Sequence, residues 1–216
     1  MGKVKFMSFK LSIFLIVITI LAFACKKSEN EVISIVVQNN EALLAGSIPE
    51  NTHLNILDYI NLSGIRNDSS AVYYGEASFV YLDGDFSGDL LISVISVGNM
   101  DNYSTAAYVE IRNNWEVCLI ENDTTYAKLI EFGDAITEEL NWQGINNQSY
   151  YLAIYNYRTQ NNNTIIDSTG SWNNTIDGYL GIRKIQNTDT IYGWIKMDIY
   201  NHFILVADEY VVQNKN

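Results

Sequence analysis

Beyond residue 31 the chain alternates between apolar and polar positions. In "IYGWIKMDIY", residues 191–200, one face takes Ile191, Gly193, Ile195, Met197 and Ile199, and the other takes Tyr192, Trp194, Lys196, Asp198 and Tyr200. Successive side chains of a strand point to opposite sides, so a period of two predicts a half-buried β-strand. Comparable runs are "AVYYGEASFVYL", "DLLISVISV", "TAAYVEIR", "WEVCLIE", "YAKLIEF", "YYLAIYNY", "GYLGIRKI" and "FILVADEYVV". Turn residues punctuate them: Gly75, Asp83-Gly84, Asn113-Asn114, Asn161 to Asn163, and Asn187-Thr188. Short strands at spacings of about 8–12 residues predict an antiparallel sandwich or barrel. Helical periodicity is missing, and the one place for a short helix is around Leu54 to Ile60. No internal repeat interrupts the pattern.

The first residues follow a different rule. Lys3, Lys5 and Lys10 flank the apolar run "LSIFLIVITILAF", residues 11–23. A membrane-spanning helix needs about 20 apolar residues. The run is shorter, and its length and flanks are those of a secretory signal. It ends in "LAFAC", with Ala22 and Ala24 three and one residues before Cys25. This resembles the lipobox of bacterial lipoproteins, with the leucine displaced by one place. The resemblance implies cleavage before Cys25 and acylation of its thiol, palmitate included. Residues 1–24 are then a signal peptide, 25–31 a lipidated cysteine and tether, and 32–216 a single domain. Surface-exported lipoproteins of the Bacteroidota carry lysine and paired acids after that cysteine. Here "CKKSENE" offers Lys27, Glu29 and Glu31, with the acids not adjacent.

Charge narrows the partners. Loss of the signal takes three of the 13 basic residues and none of the 25 acidic ones, for a net charge of −15 on 192 residues. Such a surface repels nucleic-acid phosphates and anionic headgroups, so no nucleic-acid partner is expected and attachment falls to the acyl chains. Cys118 is then the only remaining thiol. It has no disulfide partner, and four-ligand zinc sites built on cysteine are excluded. Its alternation with Ile120 predicts a core position.

The C-terminal third carries a second resemblance. Tyr179-Leu180-Gly181, Tyr192-Gly193-Trp194 and Glu209-Tyr210, with the upstream run "AKLIEFGDAI" and the Asp-rich turn at 83–89, resemble an uncharacterised group of secreted or lipid-anchored all-β proteins of Bacteroidota. The resemblance implies fold and compartment, an outer membrane facing the periplasm or the cell surface.

Candidate chemistry is sparse. Asp83, Asp85, Ser87 and Asp89 fall at alternate positions, as oxygen ligands of a calcium loop do. An EF-type loop also needs a bidentate glutamate at position 12. That place is Val94, so an EF-hand is ruled out. A shorter calcium loop competes with a plain hairpin turn, since Asp-Gly tolerates φ > 0. Calcium is the only cofactor the sequence suggests.

Fifteen tyrosines and four tryptophans raise an aromatic platform for glycans. Tyr151, Tyr155 and Tyr157 are expected on one strand face, and Trp142 and Trp172, in turn-like contexts, are the candidates for exposure. Strand aromatics also pack against one another without any ligand. His53 and His202 lack a motif, and no nucleophile-elbow pattern surrounds a serine. A polysaccharide hydrolase needs two facing carboxylates. Glu138-Glu139 and Asp208-Glu209 are adjacent and should point to opposite faces. The Asp-Ser/Thr pattern that Bacteroidota O-glycosylate occurs at Thr124, Ser168 and Thr190. Seven Asn-x-Ser/Thr sequons, from Asn61 and Asn67 onward, carry no meaning in a bacterium.

The expectation is an all-β lipoprotein with little helix: one antiparallel β-sandwich, jelly-roll or concanavalin-like. Its expected role is non-catalytic, as a binding or structural module whose partners are the bilayer through Cys25 and glycans or another envelope protein. A glycan-binding protein or surface polysaccharide hydrolase is the alternative.

Overall fold

The computed structural model describes residues 42–50, 52, 54–63, 73–84, 87–98, 102–161, 163–187, 189–201 and 204–213, all within the unit Ser34–Asn216. The signal segment, Cys25 and tether, with His53, Asn67, Asp85 and His202, lie outside the described residues. In chain order the strands are β1 (Leu43–Leu44), β2 (Asn55–Ser63), β3 (Tyr73–Val80), β4 (Leu90–Gly98), β5 (Asn102–Ile111), β6 (Trp115–Leu119), β7 (Ala135–Ile136), β8 (Asn141–Gln143), β9 (Ser149–Gln160), β10 (Asn163–Thr169), β11 (Gly178–Gln186), β12 (Asp189–Tyr200) and β13 (Ile204–Val212). They form a five-stranded sheet, β10-β9-β5-β4-β3, a six-stranded sheet, β2-β13-β12-β11-β6-β8, and the small pair β1-β7. Every strand pair is antiparallel. The all-β class is as expected.

The chain changes sheet through tight turns. Asn113 and Asn114, at φ 53° and 61°, carry it from β5 into β6. Asparagine reaches this left-handed region at little cost, because its short side chain bonds locally. The two large sheets face each other across a core. Leu90, Ile92 and Val94 of β4, Val109 and Ile111 of β5, and Tyr150, Leu152 and Tyr155 of β9 meet Val117 of β6, Leu180 and Ile182 of β11, Ile195 and Met197 of β12, and Leu205 of β13. Fully burying one such aliphatic side chain contributes about 1.5–3 kcal/mol.

The six-stranded sheet is covered on its second face as well. There Leu43, Ala45, Ile130 and Ile136 lie on Cys118, Trp142, Tyr179, Trp194 and Val211. The cover explains the first of the two glycine motifs. Gly181 is the cross-strand partner of Trp194, and Gly193 that of Ile182. A Cβ on Gly181 would stand 2.7 Å from Ile130 Cδ1 and 3.3 Å from Cys118 Cβ. Each strand thus supplies a small residue opposite a large one of its neighbour, and Tyr179 closes edge-on against Trp194 at 5.3 Å.

Several expectations are corrected. Residues 54–60 are not a helix. Asn55–Ser63 is β2, paired with β13, because edge pairing in the sheet overrides the weak local preference. Gly75 is no turn but an interior residue of β3 opposite Ile95. The run "YAKLIEF" is a strap held by isolated bridges at Tyr126, Ala127 and Ile130 instead of a continuous strand. β12 is buried on both faces from Gly193 to Ile199 except at Lys196, since the strap and Leu43–Ala45 cover the side expected to meet water. β10 is a strand that the apolar–polar pattern does not predict. It is almost wholly exposed, so its sequence carries no apolar alternation.

Candidate functional site

Strand pairing sets which side chains reach the outer face of the five-stranded sheet. Across β4, β5, β9 and β10 the register aligns Val97, Ser104, Asn156 and Asp167 in one row. The next row toward the middle holds Ile95, Ala106, Ile154 and Thr169. Tyr108 and Tyr151 follow as a cross-strand pair. Unlike its counterpart, this face is open. Val97, Asn102, Asn156, Arg158, Asp167 and Thr169 are exposed.

At one end the face dips into a depression of about 400 Å³ lined by Val97, Asn102, Ser104, Asn156, Arg158 and Asp167, together with Tyr103 and Tyr157 between them in the strands. Tyr103 and Tyr157 are cross-strand partners whose rings stack at 4.2 Å, 8° from parallel, and pack with the core on the inner side of the sheet. Burial pushes both hydroxyls above the ordinary tyrosine range. On the outer side Ser104 donates to Asn156 Oδ1 at 2.6 Å. Arg158 pairs with Asp167 across β9 and β10, with both side chains more than half exposed, 57% and 59%.

At the other end stand three tyrosines. Tyr108 and Tyr151 lie 6.1 Å apart at 69°, and Tyr126 of the strap adds a third ring 6.1 Å from Tyr151. Tyr126 arrives there because β10 stops at Thr169. Residues 125–127 then take over the free edge of β9, with Tyr151 N–H donating to the Thr125 carbonyl at 2.9 Å.

The expected tyrosine platform is therefore rebuilt from different residues. The register between β5 and β9 slips after Ala107, with Ala107 opposite Ala153 but Tyr108 opposite Tyr151. The extra residue is a bulge, which turns the rest of the strand over. Tyr151 stays on the outer face, while Tyr155 and Tyr157 turn into the core. Tyr108 and Tyr126 join Tyr151 only through the sheet and the strap, and nothing in the local sequence pattern marks them.

The tryptophan candidates are also corrected. Trp172 is 0% and Trp142 8% exposed. Trp172 belongs to the core between the sheets, and Trp142 lies under the strap, its indole N–H donating to the Thr137 carbonyl at 2.9 Å. Arg183, paired with Glu116, sits over its ring at 4.8 Å. Neither tryptophan is available for stacking on a ligand. Trp194, on the polar side of β12 by alternation, is buried too and donates to the Ser47 carbonyl at 3.0 Å.

In the Asp-rich loop, Asp89 is fully buried. Its carboxylate accepts the Leu82 amide at 2.7 Å and the Asn113 side-chain amide at 3.2 Å. Asn113 also reaches Ser87 Oγ at 3.0 Å, and Asp83 pairs with Lys184 at 2.9 Å. These oxygens are turned onto protein partners, the arrangement of a structural turn. Among the described residues no three histidine, cysteine or acidic side chains gather as a metal-binding group.

Asp208 and Glu209 do not diverge as adjacent strand residues should. A register shift lets Asp208 bulge from β13, and both carboxylates come within 3.9 Å of Lys196 Nζ, which Asp177 meets at 3.0 Å. Burial first, then Asp208 and Asp177, raise the Glu209 pKa, while Lys196 opposes the shift. Thr124, Ser168 and Thr190 are all exposed. Cys118 is buried, and burial pushes its thiol up to about 11. Compared with protein families, with curated proteins and with solved structures, the chain matches none.

Proposed function

We propose that this chain is a non-catalytic binding module of a bacterial envelope, a β-sandwich held at the outer membrane by acyl chains on Cys25. Its ligand surface is the outer face of the five-stranded sheet. One observation carries the binding reading: the outer face of the six-stranded sheet is closed by its own strap, whereas this one is open and dips into a polar depression. A concave patch with a few convergent polar groups is the usual form of a binding site. The hydrolase alternative has less support. Of the residues lining the depression only Asp167 is a carboxylate, and it is held by Arg158. Glycosidic cleavage uses two.

The test has two arms. Cells expressing the chain are fed an alkyne-tagged palmitate, and the purified lipoprotein is mixed with fractionated envelope polysaccharide or envelope protein and followed by hydrogen exchange. The wild type should take the label and sediment with membranes, and Cys25→Ala should lose both. One envelope fraction should protect the amides of β5, β9 and β10. An unlabelled wild type removes the anchor, and protection confined to the six-stranded sheet removes the binding face.

A further inference from the structure

Resting on the reading of this face as a ligand surface, we infer that it takes an uncharged oligosaccharide laid along β5 and β9, one ring in the depression and another against Tyr108, Tyr126 and Tyr151. Charge pairing excludes ionic ligands. The chain as a whole is strongly acidic, at −12. On this face, however, Arg158 offsets Asp167 and Arg112 offsets Glu110, the latter at 2.8 Å. Neither an anion nor a cation finds an uncompensated countercharge among these groups, so neither gains the Coulomb attraction that would offset its own desolvation.

The same groups suit hydroxyls. A guanidinium has five N–H donors and a carboxylate about four lone-pair sites, and one ion pair uses only part of each. Held side by side and half in water, the pair offers a donor and an acceptor to neighbouring hydroxyls of one sugar ring. The Ser104 hydroxyl occupies Asn156 Oδ1, so the acceptor end of that amide is engaged and its N–H₂ end is the part offered to a ligand.

Length follows from the register. From the Ser104/Asn156 pair to the Tyr108/Tyr151 pair is four residues along β5. At about 3.4 Å per residue this is about 14 Å, longer than one sugar ring. Between the two ends the surface of β4, β5 and β9 is apolar: Ala106 is small and buried, flanked by half-buried Ile95 and Ile154, with Thr169 at the edge on β10. A glycan presents hydroxyl rims and C–H faces in turn, which matches the order polar depression, aliphatic strip, aromatic cluster. A peptide of mixed charge lacks that order.

The probe set is neutral hexasaccharides of β-linked glucose, α-linked glucose, mannose and xylose, their disaccharides, and a hexagalacturonate. The full-length lipoprotein is kept in a detergent without a sugar headgroup, and binding is read by titration calorimetry. At least one neutral hexasaccharide should bind, and Asn156→Ala and Asp167→Asn should each weaken it about five- to tenfold, the loss of one hydrogen bond. Tyr151→Ala should weaken the hexasaccharide and leave the matching disaccharide unchanged, a difference that a general loss of folding cannot produce. No binding by any neutral hexasaccharide overturns the inference, as does binding that ignores these variants. Hexagalacturonate bound with the same variant dependence overturns the uncharged class but keeps the face, and binding of any probe that moves with none of the variants removes the face as well.

Discussion

Asparagine sets the backbone at the corners of this molecule. Among the described residues nine non-glycine positions have positive φ; eight are asparagine and the ninth is Asp177. Glycine takes the same left-handed region at Gly84, with φ 77° and open space around it. Gly181 is a glycine for the other reason, the crowding of Ile130 and Cys118 above it. The two roles separate by mutation. Gly181→Ala should lower stability by about 1–3 kcal/mol through overpacking, while Gly84→Asn should change it by less than about 0.5 kcal/mol, since asparagine accepts φ > 0. Urea unfolding of both variants measures the contrast, and equal losses would contradict it.

At the level of elements, the β3–β4 connection is built on Asp89. Its buried carboxylate closes the loop on the Leu82 amide and ties it to Asn113 of the β5–β6 turn. Asp89→Ala would leave that amide without its partner and should cost about 1.5–3 kcal/mol, as for hydrogen bonds to a charged group. Millimolar calcium, by the same geometry, should leave the Tm of the wild type where EDTA leaves it. A calcium-dependent rise that Asp83→Ala abolishes would instead make the loop a metal site. A ligand at about 100 times its Kd adds roughly 2.7 kcal/mol, enough to read in a melting curve.

The whole molecule is built to fail in alkali. Burial raises the pKa of Tyr103, Tyr155, Tyr157, Tyr179 and Tyr210, and pushes the Cys118 thiol up to about 11. The unfolded chain releases these protons first, the thiol near pH 8.5 and the tyrosines near pH 10. Above those values the unfolded state binds fewer protons than the folded one, so stability falls as pH rises. Lys196 acts in the same direction. Burial lowers its pKa, but Asp177, Asp208 and Glu209 outweigh that and raise it, so its stabilisation is present below the unfolded value near 10.4 and lost as pH passes the folded one. The tyrosinate absorbance of these five tyrosines should therefore appear as a cooperative step coincident with loss of β structure by circular dichroism. A gradual titration completed before unfolding would show the phenols to be accessible.

Local chemistry was enough to make most strands legible from β3 to β13. Alternation and turn residues are properties of a few neighbouring positions, and "DLLISVISV", "GYLGIRKI" and "FILVADEYVV" carry both. The buried place of Cys118 also follows from sequence. What alternation cannot say is what each face meets. "IYGWIKMDIY" reads the same whether its second face is wet or covered, and only the strap folding over it decides that Trp194 and Trp142 are interior. A one-residue bulge is equally silent in the pattern, yet it sends Tyr155 and Tyr157 inward and leaves Tyr151 outside, and another brings Asp208 and Glu209 to the same lysine. The candidate face was invisible for the same reason: its residues come from four strands and a strap, each polar position unremarkable alone. Periodicity belongs to a segment, whereas covering, register and convergence belong to pairs of segments far apart in the chain, and those were decided only when the sheets closed on one another.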